Sequence, residues 1–72
     1  MTRTAMEKLV MISSKFGMYV SNKYVPNDNK FEIKAFGESN STSYWGAAPT
    51  LEEAAITVAR DMKKDLDFIF DQ

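Results

Sequence analysis

The chain contains no cysteine and no histidine, and only three glycines and two prolines among 72 residues. Without cysteine there are no disulfides, thiolate nucleophiles or iron–sulfur clusters. Without histidine the commonest metal ligand is missing, and so is the usual general base near neutral pH. Gly17, Gly37 and Gly46 are isolated from one another, so no glycine-rich loop exists to cradle a phosphate. Lys+Arg 9 against Asp+Glu 10 leaves no excess of positive charge for a nucleic-acid backbone. The longest aliphatic run, Leu9-Val10-Met11-Ile12, is too short for a secretory core or a membrane span, which makes a cytoplasmic protein with no membrane contact the expectation.

What is present describes one folded unit. A 44% hydrophobic and 12% aromatic composition is too apolar for disorder, and 72 residues leave no room for a second core. A single domain over residues 1–72 is expected. A core this small provides little surplus stability, so a partner or a second copy of the chain could be needed to support it.

Thr4-Ala5-Met6-Glu7 has the pattern of a capping box, in which the threonine hydroxyl and the glutamate carboxylate each satisfy an orphan backbone N–H. Ala5, Met6, Leu9, Val10 and Ile12 then recur at helical spacing. Ser13-Ser14 and Phe16-Gly17 supply the stop, predicting a helix over about 4–15. From Gly17 the period becomes two, with Met18, Val20 and Tyr24 alternating with Tyr19, Ser21 and Lys23. Pro26-Asn27-Asp28-Asn29 concentrates turn chemistry, so the next strand, Lys30 to Phe36, should return antiparallel. In it Phe31, Ile33 and Ala35 share one face, and Glu32, Lys34 and Phe36 the other. Residues 37–43 read as a polar loop and Tyr44-Trp45-Gly46-Ala47 as a short third strand. Pro49-Thr50-Leu51-Glu52-Glu53 reads as a second capping box. It opens a helix with the stripe Leu51, Ala55, Val58, Met62, Leu66 and Ile69, expected to run from about 51 to near the C-terminus. The predicted class is α+β, in the order α-β-β-β-α with a three-stranded antiparallel meander.

Two families share parts of this pattern. Gly46-Ala47-Ala48-Pro49-Thr50 followed by Glu53-Ala54-Ala55 resembles the small-residue turn and second helix of the double-stranded RNA-binding domain, which has the same element order. That family holds phosphate with lysines at the start of its second helix. Here those positions are Leu51, Glu52 and Glu53, which repel phosphate, so the function is not implied. Ala5-Met6-Glu7-Lys8-Leu9, the Trp45 strand and Thr50-Leu51-Glu52-Glu53-Ala54-Ala55-Ile56 are similar to small phage-encoded α/β sandwich proteins over nearly the whole chain. This second resemblance implies a phage origin and no catalytic activity.

Carboxylates come nearest to a reactive site. Asp61 and Asp65 are one helical turn apart, with Asp67 and Asp71 beyond, and two or three of them could face a hard cation such as Mg²⁺. Lys63 and Lys64 sit at pairing distance, Lys63 with Asp67 and Asp61 with Lys64, so a solvated charged face is the ordinary account and no metal is expected. Negative charge at a helix C-terminus opposes the macrodipole, which fraying past Asp67 or an acidic contact surface would explain. Glu52 and Glu53 already have a capping task, and the serines at 13, 14, 39, 41 and 43 have no histidine to activate them. Neither a catalytic residue nor a cofactor is expected.

Charge is split along the chain: residues 1–36 carry six basic against three acidic side chains, and residues 37–72 three against seven. Such a molecule could meet a basic partner or pair head to tail with its own copy. If Phe31, Ile33 and Ala35 face the helices, the opposite sheet face carries Tyr19, Lys23, Lys34 and Phe36, with either Tyr44 or Trp45 from the third strand. The expectation is a non-enzymatic binding protein. Taken with the phage resemblance, this means an inhibitor that occludes a surface of a host defence protein, such as a nuclease or a CRISPR effector (an anti-CRISPR role). Phe36, Tyr44 and Trp45 would be its apolar anchors, while Glu52, Glu53, Asp61 and Asp65 would imitate phosphate spacing. The alternative is a nucleic-acid-binding module using Tyr19, Lys23, Lys34 and Phe36.

Overall fold

Helix α1, Ala5–Lys15, begins where the capping pattern predicts. Thr4 Oγ1 accepts from the Glu7 N–H at 3.1 Å, and Glu7 Oε1 accepts from the Thr4 N–H at 3.0 Å. That backbone N–H, then the Thr4 hydroxyl, hold the Glu7 carboxyl below its ordinary pKa, with Arg3 adding to the effect. Phe16 caps the other end, and Gly17 follows at φ +71, a left-handed conformation that glycine adopts without a Cβ penalty. The computed structural model describes residues 3–37 and 43–70. Most of the predicted polar loop, residues 38–42, lies outside them.

Strands β1 (Met18–Val25), β2 (Lys30–Gly37) and β3 (Ser43–Ala48) form one antiparallel sheet in the order β1-β2-β3. The β1–β2 turn closes with the Asn29 N–H donating to Pro26 O at 3.2 Å. Asn29 takes φ 54, a left-handed position that asparagine tolerates, and the Tyr24 hydroxyl bonds to its side chain. Register sets Tyr19, Val20, Ser21 and Lys23 opposite Phe36, Ala35, Lys34 and Glu32. On the other side of β2, Ile33, Lys34 and Ala35 lie opposite Gly46, Trp45 and Tyr44.

Helix α2 spans Leu51–Asp65. Both helices cover the same sheet face, α1 over β1 and α2 over β2 and β3, giving two layers in a body of 33 × 32 × 18 Å. Between them Leu9 from α1, Ile33 and Ala35 from β2, and Ala54, Ala55, Val58, Ala59 and Met62 from α2 are buried. The small residues Ala54, Ala55 and Ala59 let α2 lie close to its neighbours. At Gly46 a Cβ would stand only 2.9 Å from Val58 Cγ2, so glycine is what allows β3 and α2 to approach this closely. Ser13 is fully buried, its hydroxyl 4.0 Å from Met62 Sδ where α1 meets α2.

Three expectations are corrected. α2 stops at Asp65 instead of continuing to near the C-terminus: Leu66 is extended, and Leu66, Phe68 and Phe70 pack against the core at alternate positions, while Ile69 is 87% exposed. The predicted stripe therefore ends at Met62 within the helix, and apolar contact continues in a strand-like tail whose Phe68 ring lies 6.3 Å from that of Phe16. Because Asp67 lies beyond the helix end, it loses the one-turn spacing that would pair it with Lys63. Among the described residues the only ion pair is Lys23 with Glu32, at 3.6 Å. At the start of α2, Thr50 Oγ1 accepts from the Glu53 N–H as predicted, but among the described residues only this half of the capping box forms, and the neighbouring Glu52 carboxylate turns to α1 instead.

Candidate functional site

The structure divides the expected binding residues between two surfaces. Glu52 reaches across to the first helix: its two carboxylate oxygens accept from the Ala5 N–H at 2.9 and 3.0 Å, a cap supplied from 47 residues away. Asp65 accepts from the Tyr44 hydroxyl at 3.1 Å. Burial of the phenol, then this bond and the nearby Asp65 and Asp61 charges, push the Tyr44 pKa above its ordinary value. Tyr44 is 5% exposed and belongs to the covered sheet face, so it is a core residue and not an apolar anchor on the surface. Glu53 is exposed and Asp61 half-buried on α2, on the far side of the molecule from Phe36 and Trp45. Among the described residues no group of three acidic side chains is placed to hold a metal ion.

The residues that converge are those of the uncovered sheet face. Because side chains alternate along a strand, the register gives three rows across this face: Tyr19, Phe36 and Ser43; Ser21, Lys34 and Trp45; Lys23, Glu32 and Ala47. Of the two candidates from the third strand, Trp45 is the one on this face. The rows are tied together by contacts. The Tyr19 and Phe36 rings are 5.9 Å apart at 43°, and Lys34 Nζ stands 5.9 Å from the centre of the Phe36 ring. Lys23 pairs with Glu32 beside them. A shallow hollow of about 300 Å³ is lined by Ser21, Lys23, Glu32, Lys34 and Trp45. Trp45 is 56% and Tyr19 53% exposed, so the face presents two large rings to solvent around a central lysine.

Both helices are committed to the opposite side, so neither covers these rings. The Tyr19–Phe36 pair already supplies a cross-strand aromatic contact on this face, so the exposed Trp45 ring is surplus to sheet stabilisation. The hollow offers ring faces, one ammonium group beside a ring, and an ion pair at its rim. No helix among the described residues is long and apolar enough to cross a membrane. No family model, curated protein or solved structure matches the chain.

Proposed function

We propose that this is a non-enzymatic binding protein whose working surface is the uncovered face of its sheet, with Trp45, Tyr19 and Phe36 as anchors and Lys34 at the centre. The observation that carries this reading is the pair of half-exposed rings, Trp45 and Tyr19, on a face that neither helix covers. The partner that suits it best is another protein. Tryptophan and tyrosine are the side chains most enriched at protein contact centres, and the face has only a small surplus of positive charge because Glu32 neutralises Lys23. Occlusion of a surface on a larger protein fits an open sheet face with two half-exposed rings. The phage-protein resemblance extends this to an inhibitor of a host nuclease or CRISPR effector. In this reading Glu53 and Asp61 on α2 are outside the contact, and Glu52 and Asp65 serve the fold.

A second reading has its own support: Tyr19, Lys23, Lys34 and Phe36 all lie on this one face, as stacking on single-stranded nucleic acid would require. Two experiments separate the readings. Capture from a host lysate should retain a protein that Trp45→Ala releases and Glu53→Gln does not. Titration with oligonucleotides at low salt should show no binding. Binding that weakens steeply with salt and vanishes on Lys34→Glu would replace the first reading with the second.

A further inference from the structure

The charge of the uncovered sheet face differs in sign from that of the chain. By alternation along β2, Lys30, Glu32, Lys34 and Phe36 share this face, and β1 adds Lys23. Three lysines therefore stand against one carboxylate there, in a chain whose formal net charge is −1. The acidic side chains of α2 belong to the opposite layer. Lys23 is answered by Glu32 at 3.6 Å, whereas among the described residues no carboxylate pairs with Lys34. Lys34 lies in the central strand, and its Nζ stands over the Phe36 ring, 5.9 Å from the centre, on the side away from Glu32.

The hollow beside Lys34 has the dimensions of a side-chain site. Its volume of about 300 Å³ is at the low end of the range for small-ligand sites, about 300–1,000 Å³. The register sets Trp45 on one side of Lys34 and Ser21 on the other. Trp45 forms one wall and the Lys23–Glu32 pair another, and Ser21 is too small to fill the space between. A ring face and a cation without a counter-charge thus border one concave space. We propose that this hollow takes a carboxylate side chain of a partner protein, set against Lys34, with a neighbouring apolar side chain of the same segment lying on the Trp45 ring. This inference rests on the reading of the uncovered face as the binding surface, and it names the chemistry which that surface selects.

Charge complementarity identifies the occupant. An anion gains most where a cation has no partner within the fold, and on this face the cation beside the hollow is Lys34. Glu32 decides between a protein and a nucleic acid. A row of phosphates running along β2 past Lys34 would meet the Glu32 carboxylate two residues on, and like charges would oppose it there. A protein segment can bring one carboxylate to the Phe36 side of Lys34 and leave Glu32 to Lys23.

Titration of the full chain with acetyl-Phe-Glu-Phe amide and its glutamine and lysine counterparts tests this, read by Trp45 emission and by amide chemical shifts. The glutamate peptide is expected to bind about two- to fivefold more tightly than the glutamine peptide, the range that one exposed ion pair provides, and the lysine peptide least. Lys34→Met should erase this order, Lys34→Glu should invert it, and Trp45→Ala, read by chemical shifts, should weaken all three alike. Both positions are exposed, so these changes leave the core untouched. Equal affinity for the three peptides would overturn the inference while leaving the face as a binding surface. No response of this face to any of them at about 10 mM would overturn both. Tighter binding of an oligothymidine, weakened about a hundredfold or more between about 50 and 200 mM salt, would replace the protein carboxylate with a nucleic acid. Self-association that Glu53→Gln abolishes would replace it with a second copy of the chain, and either result overturns the proposal.

Discussion

Replacing Gly46 with alanine sets two effects of opposite sign against each other. Gly46 does not sit at positive φ, so alanine meets no backbone strain there and should stabilise by about 0.4–1 kcal/mol through the smaller entropy of the unfolded chain. Against this, the new Cβ would stand 2.9 Å from Val58 Cγ2 and 3.0 and 3.1 Å from Thr57 Cγ2 and Cβ. Neither neighbour yields easily. Val58 is fully buried and β-branched, and the Thr57 hydroxyl is held by Glu53 O at 2.9 Å. Relief requires α2 to move away from β3, and overpacking of this kind costs about 1–3 kcal/mol. The clash should win, by about 0.5–2 kcal/mol, which for a domain of this size lowers Tm by roughly 2–16 °C. Urea unfolding of Gly46→Ala should show a lower midpoint at unchanged slope. In a cycle with Val58→Ala, the double variant should be less destabilised than the two single costs combined. A variant as stable as the parent, or more so, would show that β3 and α2 do not meet as closely as described. Gly17 provides a contrast: alanine there meets no atom within 4 Å but must adopt φ +71, so its cost of about 1 kcal/mol would come from the backbone and show no coupling to Val58.

Other consequences are equally specific. Glu52→Ala removes the acceptor for the Ala5 N–H and should cost about 1 kcal/mol, seen as earlier exchange of the first-turn amides of α1 rather than of α2. Leu9→Ala opens a cavity at a fully buried position between the helices and should cost about 2–5 kcal/mol in chemical unfolding. Tyr44 carries a pH signature: its folded pKa is raised, so the stability linked to its protonated phenol is complete below the ordinary tyrosine range and is lost as pH rises through the folded value. Tyr44→Phe should flatten that part of the alkaline unfolding curve, and an unchanged curve would contradict the burial of the phenol together with its Asp65 bond. Glu7 has the opposite sign, with stability present above the ordinary carboxylate pKa and lost as pH falls through its lowered value; Glu7→Gln should blunt that acid-side loss.

Element order was legible because each element carries its own local signal. Thr4 and Glu7 mark the start of α1, Pro26 to Asn29 the hairpin, and Ile33 and Ala35 the inward face of β2. What the sequence did not reveal depends on contacts distant along the chain. Glu52 looks like part of its own helix's cap until the Ala5 N–H is brought beside it. Tyr44 and Trp45 are adjacent aromatics, and only the register with Lys34 and Ala35 decides which enters the core. The end of α2 was hidden by a coincidence of periods: Leu66 and Ile69 continue the helical stripe, while Leu66, Phe68 and Phe70 alternate as an extended segment does, and packing against the core favours the second pattern. Among the candidate residues on the sheet, alternation placed Tyr19, Lys23, Lys34 and Phe36 on one face, but Tyr44, expected as a surface anchor, lies in the core. Those on α2 were grouped by charge alone, which says nothing about which side of the molecule they occupy.

Trp45 is the only tryptophan in the chain and lies on the uncovered face, so its fluorescence reports binding at that face without a label. Acrylamide should quench its emission readily in the free protein. Once a partner is bound, the emission should shift to the blue and the quenching should fall several-fold. A stable complex in which Trp45 remains as open to quencher as before would place the contact elsewhere and contradict the account.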